Sequence, residues 1–323
     1  MPTTRLAPSP TGALHLGNAR TFLANWLLAR QNGWRIILRI EDLDGPRVKK
    51  GADQAALEDL RWLGIDWDQG PLYQSARLPL YAAALHHLLH THQAYPCVCS
   101  RSEVNLAASA PHAEDGATVY PGTCRGRFSS IEEAFRQTGR HPAIRFAVPD
   151  TPVEFVDAFQ GPRRFDVRHD LGDFVIAKAD TTPAYQLAVV VDDADMQVTH
   201  VVRGDDLIES TPRQILLYHA LGLSDRLPHY GHLPLVTGTD GRRLAKRHGD
   251  TRLSFYRAQG VSPSRILTLL ARWCHIPCPK PPTTAADLLP FFSLANLPRT
   301  PIVFTPADDQ WLRATGNPEI INS

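Results

Sequence analysis

The sequence lacks several features that would point to a membrane, a secreted fold or a polyanion-binding chain. No stretch approaches the roughly 20 apolar residues of a membrane span, and the first residues carry no apolar run typical of a signal peptide. The formal net charge is +1 over 323 residues, so any nucleic-acid contact must come from local patches. Cysteine is scarce, with five residues, an odd number that favours metal binding over disulfides in a reducing compartment. We therefore expect a cytoplasmic protein.

What is present is the composition of an ordinary globular chain, with 43% hydrophobic and 21% charged residues. Its length suits two or three domains. Arg5–Ala7 predicts a short strand, Leu14–Arg30 a helix and Trp34–Glu41 a buried strand, which together form a βαβ unit. Helical periodicity returns at Ala52–Leu63 and Leu78–His90. The sequence therefore predicts an α/β fold with a parallel sheet.

The second half of the chain shows three changes of pattern. From Cys97 to Cys124 small, polar and acidic residues predict an insertion rather than part of a sheet. From Pro183 the run AYQLAVVVDDADMQVTHVVRGDD predicts buried strand, and Pro212–Leu221 predicts a helix. Beyond Asp250 prolines break the chain into short helices.

The stretch PSPTGALHLGNAR, Pro8 to Arg20, places prolines and a glycine before a helix, with a histidine in its first turn. The free N–H groups of a helix start attract phosphate. Thr11 and Gly12 would lead into the helix, His15 would project near its first turn, and Gly17 would leave the helix face open to a flat ligand. A nucleotide site and an ordinary helix start, with a packed or exposed histidine, both fit these residues alone.

A second candidate is GRRLAKRHGD, Gly241 to Asp250, in which five basic or potentially basic side chains occupy a glycine-flanked loop. Such a loop suits a triphosphate whose charge moves onto departing pyrophosphate. A solvated basic turn, or a phosphate contact without chemistry, fits it as well.

Taken together, RLAPSPTGALHLGN and RLAKR resemble the paired HIGH and KMSKS signatures of class I aminoacyl-tRNA synthetases. RIEDLD, at Arg39–Asp44, makes the chain similar to the glutamyl branch. The resemblance covers about the first 250 residues, and Tyr185 with Thr199–Asp205 also match. It implies a Rossmann-like parallel sheet, split by an inserted subdomain, with the active site at the carboxyl ends of the strands.

The resemblance also implies roles for individual residues. It implies an L-glutamate site made of Arg5, Leu6, Ala7, Pro8, Ser9, Glu41, Tyr185 and Arg203, with Glu41 receiving the α-ammonium group. Two cationic groups and one anion complement the two carboxylates and the ammonium of glutamate. Each residue also has an ordinary explanation: Glu41 could cap a turn, Arg203 could pair with Asp205 or Asp206, and Tyr185 could belong to the core.

For ATP, the resemblance implies contacts from Pro8, Ser9, His15, Gly17, Asn18 and Lys246. Because the glutamate carboxylate is already ionised, its attack on the α-phosphate needs alignment and charge stabilisation rather than a general base. We assign that stabilisation to His15 and Lys246, with Gly17 as part of the catalytic motif, and expect Mg²⁺ on the ATP phosphates. Two positions depart from the signatures: Asn18 ends the first, and Ala245 lacks the hydroxyl of the second.

Three cysteines in the insertion form a candidate structural zinc site: Cys97, Cys99 and Cys124. A tetrahedral ion needs a fourth ligand, and the resemblance to the glutamyl-queuosine branch suggests Tyr120, with His112 or a water as alternatives. Three reduced, buried cysteines without metal are the alternative, and this pattern favours metal over it. Cys274 and Cys278 fit packing residues of an apolar helix end.

Only 73 residues, Thr251 to Ser323, follow Asp250, which is short for a helical extension and an anticodon-binding domain. The chain thus resembles the glutamyl-queuosine tRNA(Asp) synthetases. That family activates glutamate without tRNA and transfers it to queuosine in the anticodon loop of tRNA(Asp). We therefore expect a ligase whose partners are L-glutamate, ATP and queuosine-containing tRNA(Asp), without a membrane, and a monomer.

The predicted domains are a catalytic domain of residues 1–95 and 183–250, a zinc-bearing subdomain of 96–182, and a helical module of 251–323. Three alternatives remain open. The chain could be a minimal glutamyl-tRNA synthetase, a paralogue that binds nucleotide or RNA without chemistry, or a nucleotidyltransferase acting on a small metabolite.

Overall fold

The computed structural model describes residues 1–108, 119–244 and 249–314. Its helices are α1 (Leu16–Gln31), α2 (Ala52–Trp62), α3 (Leu78–His90), α4 (Arg101–Ala108), α5 (Ile131–Thr138), α6 (Tyr185–Asp195), α7 (Ser210–Ala220), α8 (Leu253–Ala258), α9 (Pro263–Trp273) and α10 (Pro306–Arg313). Its strands are β1 (Thr3–Leu6), β2 (Arg35–Ile40), β3 (Gln69–Tyr73), β4 (Ala94–Cys97), β5 (Ala143–Phe146), β6 (Val153–Asp157), β7 (Gly161–Phe165), β8 (Val175–Ala177), β9 (His200–Gly204), β10 (His229–Leu233), β11 (Val236–Thr237) and β12 (Ile302–Val303). No helix in this part of the chain is long and apolar enough to cross a membrane.

A parallel arrangement of strands forms the centre of the molecule. Strand β2 pairs in parallel with β1 and with β3, and β9 pairs in parallel with β10. The amide of Thr199 donates to the carbonyl of Thr3 at 2.9 Å, which places β9 beside β1. The three-stranded group β3-β2-β1 and the pair β9-β10 thus lie side by side, with β1 next to β9. The strands follow one another in descending chain order up to β1 and in ascending order from β9, and α/β folds form their binding crevice at such a change.

The predicted βαβ unit is confirmed as β1, α1 and β2, with bounds shifted by one or two residues. Its sequence explains it: three consecutive apolar residues of β2, Ile36–Leu38, are fully buried, as a central parallel strand requires. Helices α2, α3 and α7 also lie where the apolar periodicity placed them. The predicted α/β fold with a parallel sheet is correct.

The run after Pro183 is a correction. It was predicted to be buried strand, but Tyr185–Asp195 forms helix α6 and only His200–Gly204 forms a strand. The β-branched residues of this run favour a strand locally. Helix α6 instead packs against α3 and α7, and seven of its eleven residues are buried. Because this burial extends over more than one face, the sequence is apolar without a clear helical period.

The segment between the two halves of the parallel sheet contains an antiparallel sheet and a hairpin. Strands β4, β5 and β8 pair antiparallel in that order, and β6 pairs with β7 across a tight turn. Cys97 is the last residue of β4, so the first cysteine of the predicted insertion belongs to a strand, whereas Cys99 and Cys124 lie outside one.

The predicted short helices beyond Asp250 are present as α8, α9 and α10. This part of the chain packs directly on α1. The fully buried Arg20 donates from Nε to the carbonyl of Trp273 at 3.2 Å and from Nη1 to that of Pro234 at 2.6 Å. Strand β12 also pairs in parallel with β11. The C-terminal helices therefore support the helix that begins at the candidate nucleotide site.

Candidate active site

A cavity of about 640 Å³ opens at the carboxyl ends of β1, β2 and β9. Ten of the residues that the sequence assigned to glutamate or ATP line it, namely Arg5, Ala7, Pro8, Ser9, His15, Gly17, Asn18, Glu41, Tyr185 and Arg203. The side chain of Leu6 does not line it, because it is fully buried in the core. Lys246 lies outside the described residues. The structure thus brings together residues that are up to 198 positions apart in the chain.

His15 closes the amino-terminal end of α1 with its side chain. Its Nδ1 accepts hydrogen bonds from the backbone amides of Gly17 at 3.1 Å and Asn18 at 3.3 Å. The side chain of Asn18 accepts in turn from the His15 amide, which completes a reciprocal cap. Because Nδ1 accepts, the ring proton of a neutral His15 belongs on Nε2. Burial, helped by the charge of Arg243, lowers the pKa of His15 to about 4, so at neutral pH the ring is uncharged and Nε2 is a donor.

Gly17 leaves space for the ring of His15. A Cβ at position 17 would lie 3.0 Å from Cε1 of His15 and 3.1 Å from its Nδ1, closer than a methyl group packs without moving its neighbour. The sequence argument assigned the missing side chain to ligand access. The structure shows that the missing side chain also lets His15 cap the helix.

The described part of the second signature lies beside the first. The Nη1 of Arg243 forms an ion pair with Oδ2 of Asp206 at 2.7 Å, and Arg243 lines the cavity. After the signature, the carbonyl of Thr251 accepts from the Leu16 amide at 3.0 Å, and the Leu253 amide donates to the Leu14 carbonyl at 2.9 Å. Backbone hydrogen bonds thus join the first signature to the segment that follows the second, although the two are far apart in sequence. Residues 245–248, which include Ala245, lie outside the described ranges.

Arg39 organises the charges beneath the cavity, a role that the sequence argument missed. Its side chain is fully buried and donates from Nη2 to Oε1 of Glu41 at 3.1 Å and from Nη1 to Oδ1 of Asp193. Asp192 lies 3.8 Å from its Nε. A cation inside the apolar strand WRIILRIE and two acids inside the apolar run VVVDDAD are the sequence signals that could have paired them, because buried charges need partners.

Glu41 therefore does not cap the following turn but pairs with Arg39 at the cavity wall. Burial raises the pKa of its carboxyl above the ordinary value, and the charges of Arg39 and Arg5 oppose that rise. Arg5 also lies 3.6 Å from Asp193, measured from Nε to Oδ1. The cavity thus offers an anion between cations, as a zwitterionic ligand requires.

Arg203 does not pair with Asp205 or Asp206. Its Nε donates to Nε2 of His232 at 3.0 Å, and its Nη2 donates to Oγ1 of Thr211 at 2.9 Å. Tyr185, the first residue of α6, is 37% exposed and lines the cavity, so it is not a core residue.

The cysteine cluster, Cys97, Cys99 and Cys124, lies in the antiparallel part of the chain. The three sulfur atoms lie within 4.8 Å of one another, and Sγ of Cys99 is 3.5 Å from Sγ of Cys124. Thiolates at the ordinary zinc–sulfur length would be separated by about 3.8 Å, so the cluster fits one zinc ion. The hydroxyl of Tyr120 is 3.3 Å from Sγ of Cys97 and 3.7 Å from Sγ of Cys99. A fourth ligand is therefore within reach. His112 lies outside the described residues.

Comparison with known proteins places this geometry in a family. Residues 2–278 match the model of "tRNA synthetases class I (E and Q), catalytic domain". The chain belongs to this family of class I tRNA synthetases. The chain is accordingly a ligase, and its parallel sheet is that of the class I synthetase fold.

Several relatives of this synthetase cover nearly its full length. It is 49% identical to the glutamyl-Q tRNA(Asp) synthetase of Symbiobacterium thermophilum, covering 92% of this chain and 94% of that protein. With the glutamyl-Q tRNA(Asp) synthetase of Nocardia farcinica it shares 47% identity over 93% of this chain and 92% of the relative. Glutamate–tRNA ligase 1 of Coxiella burnetii is 42% identical, over 96% of this chain and 64% of that ligase.

A solved structure agrees with this relationship. The crystal structure of a glutamate tRNA ligase from Elizabethkingia meningosepticum, in complex with its amino acid, superposes with a TM-score of 0.80 at 29% identity. The superposition covers 96% of this synthetase and 68% of that chain.

Proposed function

We propose that the chain activates L-glutamate with ATP, without tRNA, and transfers the glutamyl group to the queuosine base in the anticodon loop of tRNA(Asp). Two relatives with 47% and 49% identity over more than 90% of both chains carry the name glutamyl-Q tRNA(Asp) synthetase. Their similarity in length and sequence supports this acceptor over the 3′ end of a tRNA.

One observation carries the amino-acid part of the proposal. Arg5, Glu41 and Arg203 line one cavity, so two cationic groups and one carboxylate lie within reach of the same small molecule. In this proposal Glu41 takes the α-ammonium group, the two arginines take the two carboxylates, and Tyr185 contacts the bound amino acid. The backbone of Leu6 and the residues Ala7, Pro8 and Ser9 complete the glutamate site.

The start of α1 carries the nucleotide part. The α-carboxylate oxygen of glutamate attacks the α-phosphorus of ATP, the bond to the β-phosphate oxygen breaks, and pyrophosphate leaves with glutamyl-adenylate remaining. His15 donates from Nε2 to the phosphates, and Pro8, Ser9, Gly17 and Asn18 shape the site. Lys246 stabilises the pyrophosphate charge as it develops. Mg²⁺, when bound with ATP, neutralises phosphate charge.

The second step moves the glutamyl group to tRNA. A hydroxyl oxygen of the cyclopentenediol of queuosine attacks the glutamyl carbonyl carbon, its proton is lost, and AMP leaves. The product is an ester on the tRNA base, and the attacking group needs no further cofactor.

We also propose that Cys97, Cys99, Cys124 and Tyr120 hold one structural zinc ion in the subdomain of residues 96–182. Residues 1–95 with 183–250 then form the catalytic domain, and residues 251–323 form a helical module. Three sulfur atoms and one hydroxyl close together support the metal site.

The decisive experiment is glutamate-dependent exchange of labelled pyrophosphate into ATP, without tRNA. We expect exchange with L-glutamate and no exchange with L-glutamine or L-aspartate. At low glutamate concentration exchange should fall sharply in Glu41→Gln, and it should be lost in Lys246→Ala. Glu58→Gln is the control, because Glu58 is an exposed partner of Arg257 and lies outside the cavity. Exchange that starts only when tRNA is added would instead indicate a glutamate–tRNA ligase, the name of the relative at 42% identity.

The acceptor is tested with radiolabelled glutamate and two tRNA(Asp) preparations, one with queuosine and one without it. We expect label only on the queuosine-containing tRNA. We also expect the label to remain on the anticodon fragment after nuclease cleavage. Label on the 3′-terminal adenosine would contradict the queuosine proposal but leave the activation step intact.

A further inference from the structure

The guanidinium of Arg203 is fixed on two of its three nitrogens. Nε donates to His232, and Nη2 donates to the hydroxyl of Thr211 and to the carbonyl of Leu207 at 3.3 Å. The third nitrogen, Nη1, is buried and has no hydrogen-bond partner among the residues that the structure describes. Because a buried guanidinium nitrogen rarely remains without an acceptor, Nη1 is the atom of Arg203 left for an anionic ligand in the cavity.

The acceptor that orients Arg203 is itself held by a carboxylate from another part of the chain. Oδ2 of Asp157, at the end of β6, lies 2.6 Å from Nδ1 of His232, and both side chains are almost fully buried. Oδ1 of Asp157 accepts from the amides of Phe159, Gln160 and His232 at 2.8 to 3.1 Å. Burial alone would raise the pKa of Asp157, but these hydrogen bonds bring it below its ordinary value.

An ionised Asp157 decides which ring nitrogen of His232 carries the proton. A carboxylate can only accept, so Nδ1 of His232 donates and Nε2 is left with a lone pair. That lone pair receives the Nε proton of Arg203. The hydroxyl of Thr211, 3.2 Å from Nε2, can donate to it as well while accepting from Nη2 of Arg203. Within the network of Asp157, His232, Thr211 and Arg203, every polar side-chain atom then has a partner of the right kind except Nη1 of Arg203.

We propose that Asp157 and His232 are positioning residues that aim Nη1 of Arg203 at a carboxylate of the amino-acid substrate. Through them the hairpin of β6 and β7, which precedes the second half of the parallel sheet, sets the affinity of the glutamate site. The inference rests on the proposed function, since it takes glutamate as the ligand.

The sharpest test is Asp157→Asn, which changes the direction of the hydrogen bonds with almost no change in size. The side-chain oxygen of the introduced asparagine still accepts the hydrogen bonds from the backbone amides, and the NH₂ group of the same side chain then faces Nδ1 of His232. Nδ1 must then accept, so the ring proton of His232 moves to Nε2. Two donors, Nε2–H of His232 and Nε–H of Arg203, then face each other, and their hydrogen bond is lost. Thr211→Val removes the hydroxyl at nearly constant volume, and His232→Leu removes the acceptor, whereas His232→Gln can return an oxygen to its place.

We expect Asp157→Asn and His232→Leu to raise the KM for glutamate about 10- to 100-fold in tRNA-free pyrophosphate exchange, which is the scale of one unpaired buried donor. The KM for ATP should change less than about twofold. The glutamate KM of Thr211→Val should lie between those of these variants and that of the wild type. The glutamate KM of His232→Gln should be lower than that of His232→Leu.

The matched control is Asp173→Asn, which also alters a buried carboxylate outside the cavity. Asp173 accepts from Arg125, Arg168 and Tyr95 and does not touch Arg203. The Asp173→Asn substitution should lower the Tm without a selective increase in the KM for glutamate. Equal increases in both KM values in Asp157→Asn, or an unchanged glutamate KM in both Asp157→Asn and His232→Leu, would overturn the positioning role. A wild-type protein without glutamate-dependent exchange would overturn the proposed function itself and this inference with it.

Discussion

Nδ1 of His15 accepts a hydrogen bond from the amide of Gly17 at 3.1 Å, and the ring occupies the space where a side chain of residue 17 would be. The helix cap, the tautomer of the histidine and the absence of a side chain at position 17 are thus one arrangement. The donor that the proposed ATP site needs depends on it.

Gly17→Ala should therefore displace the His15 ring by a few tenths of an ångström and weaken ATP binding. We expect the KM for ATP to rise about tenfold, the scale of a small misplacement of a contact group. The ring is followed without ligand through the imidazole nitrogen shifts in NMR spectra. Gly12→Ala is the control for these shifts, because a Cβ there meets nothing within 4 Å. Identical His15 shifts in Gly17→Ala and the wild type would contradict the argument.

Glutamate binding should weaken as the pH falls from 7 towards 5. The α-ammonium group needs an ionised Glu41, and burial raises the pKa of this carboxyl above its usual 4.5. Protonation therefore begins at a higher pH than in an exposed glutamate, and the KM for glutamate rises while the KM for ATP does not. Glu41→Gln should raise the glutamate KM at neutral pH about 100-fold, as expected on loss of a charge-assisted contact. If Glu41→Gln had a wild-type KM for glutamate and the same dependence of that KM on pH, Glu41 would be excluded as the titrating group.

Removal of Arg39 should destabilise the protein far more than removal of Arg30. Arg39 is fully buried and pairs with Glu41, Asp192 and Asp193, whereas Arg30 pairs with the exposed Asp66 and Asp68 at the surface. Arg39→Met leaves buried carboxylates without a partner and should lower the free energy of unfolding by about 3 to 5 kcal/mol. Arg30→Met should cost less than about 1 kcal/mol. Urea denaturation measures both changes in the free energy of unfolding. Equal losses would show that the buried ion pairs of Arg39 stabilise the protein no more than the surface ion pairs of Arg30.

The purified protein should contain one zinc ion per chain, measured by atomic emission. Cys99→Ser and Cys124→Ser should lower the zinc content and the Tm, because a structural zinc ion contributes to folding. Cys278→Ser is the control, since Cys278 lies outside the cysteine cluster. Full zinc content in both cluster variants would rule out this ligand set. Tyr120→Phe tests the fourth position separately through the affinity for zinc in a competition with a chelator.

The sequence predicts the βαβ unit because β2 contains the apolar run Ile36–Leu38 and because prolines and a glycine precede α1, which are both local signals. It fails at α6, where three successive valines favour a strand and only the packing of α3 and α7 around them selects a helix. In this segment tertiary packing therefore overrides the local preference for a strand.

The candidate site shows the same division. The site residues at the two signatures can be predicted from the sequence alone, because the spacing of the motifs identifies them. The contact between Asp157 and His232 joins residues 75 positions apart that lie in no common motif, and no pattern of spacing predicts that they meet. The pairing of Arg39 with Asp193 across 154 positions is a similar case.

The backbone hydrogen bonds between Leu14, Leu16, Thr251 and Leu253 have a consequence for the exchange of segments between relatives. They make the start of α1 and the chain after residue 250 two edges of one structural unit, although more than 230 residues separate them. A chimaera could take the first segment from one synthetase and the second from another. It would keep both signatures, but its two hydrogen-bonded segments would come from different proteins. Exchanges that move both segments together should retain more activity than either single exchange.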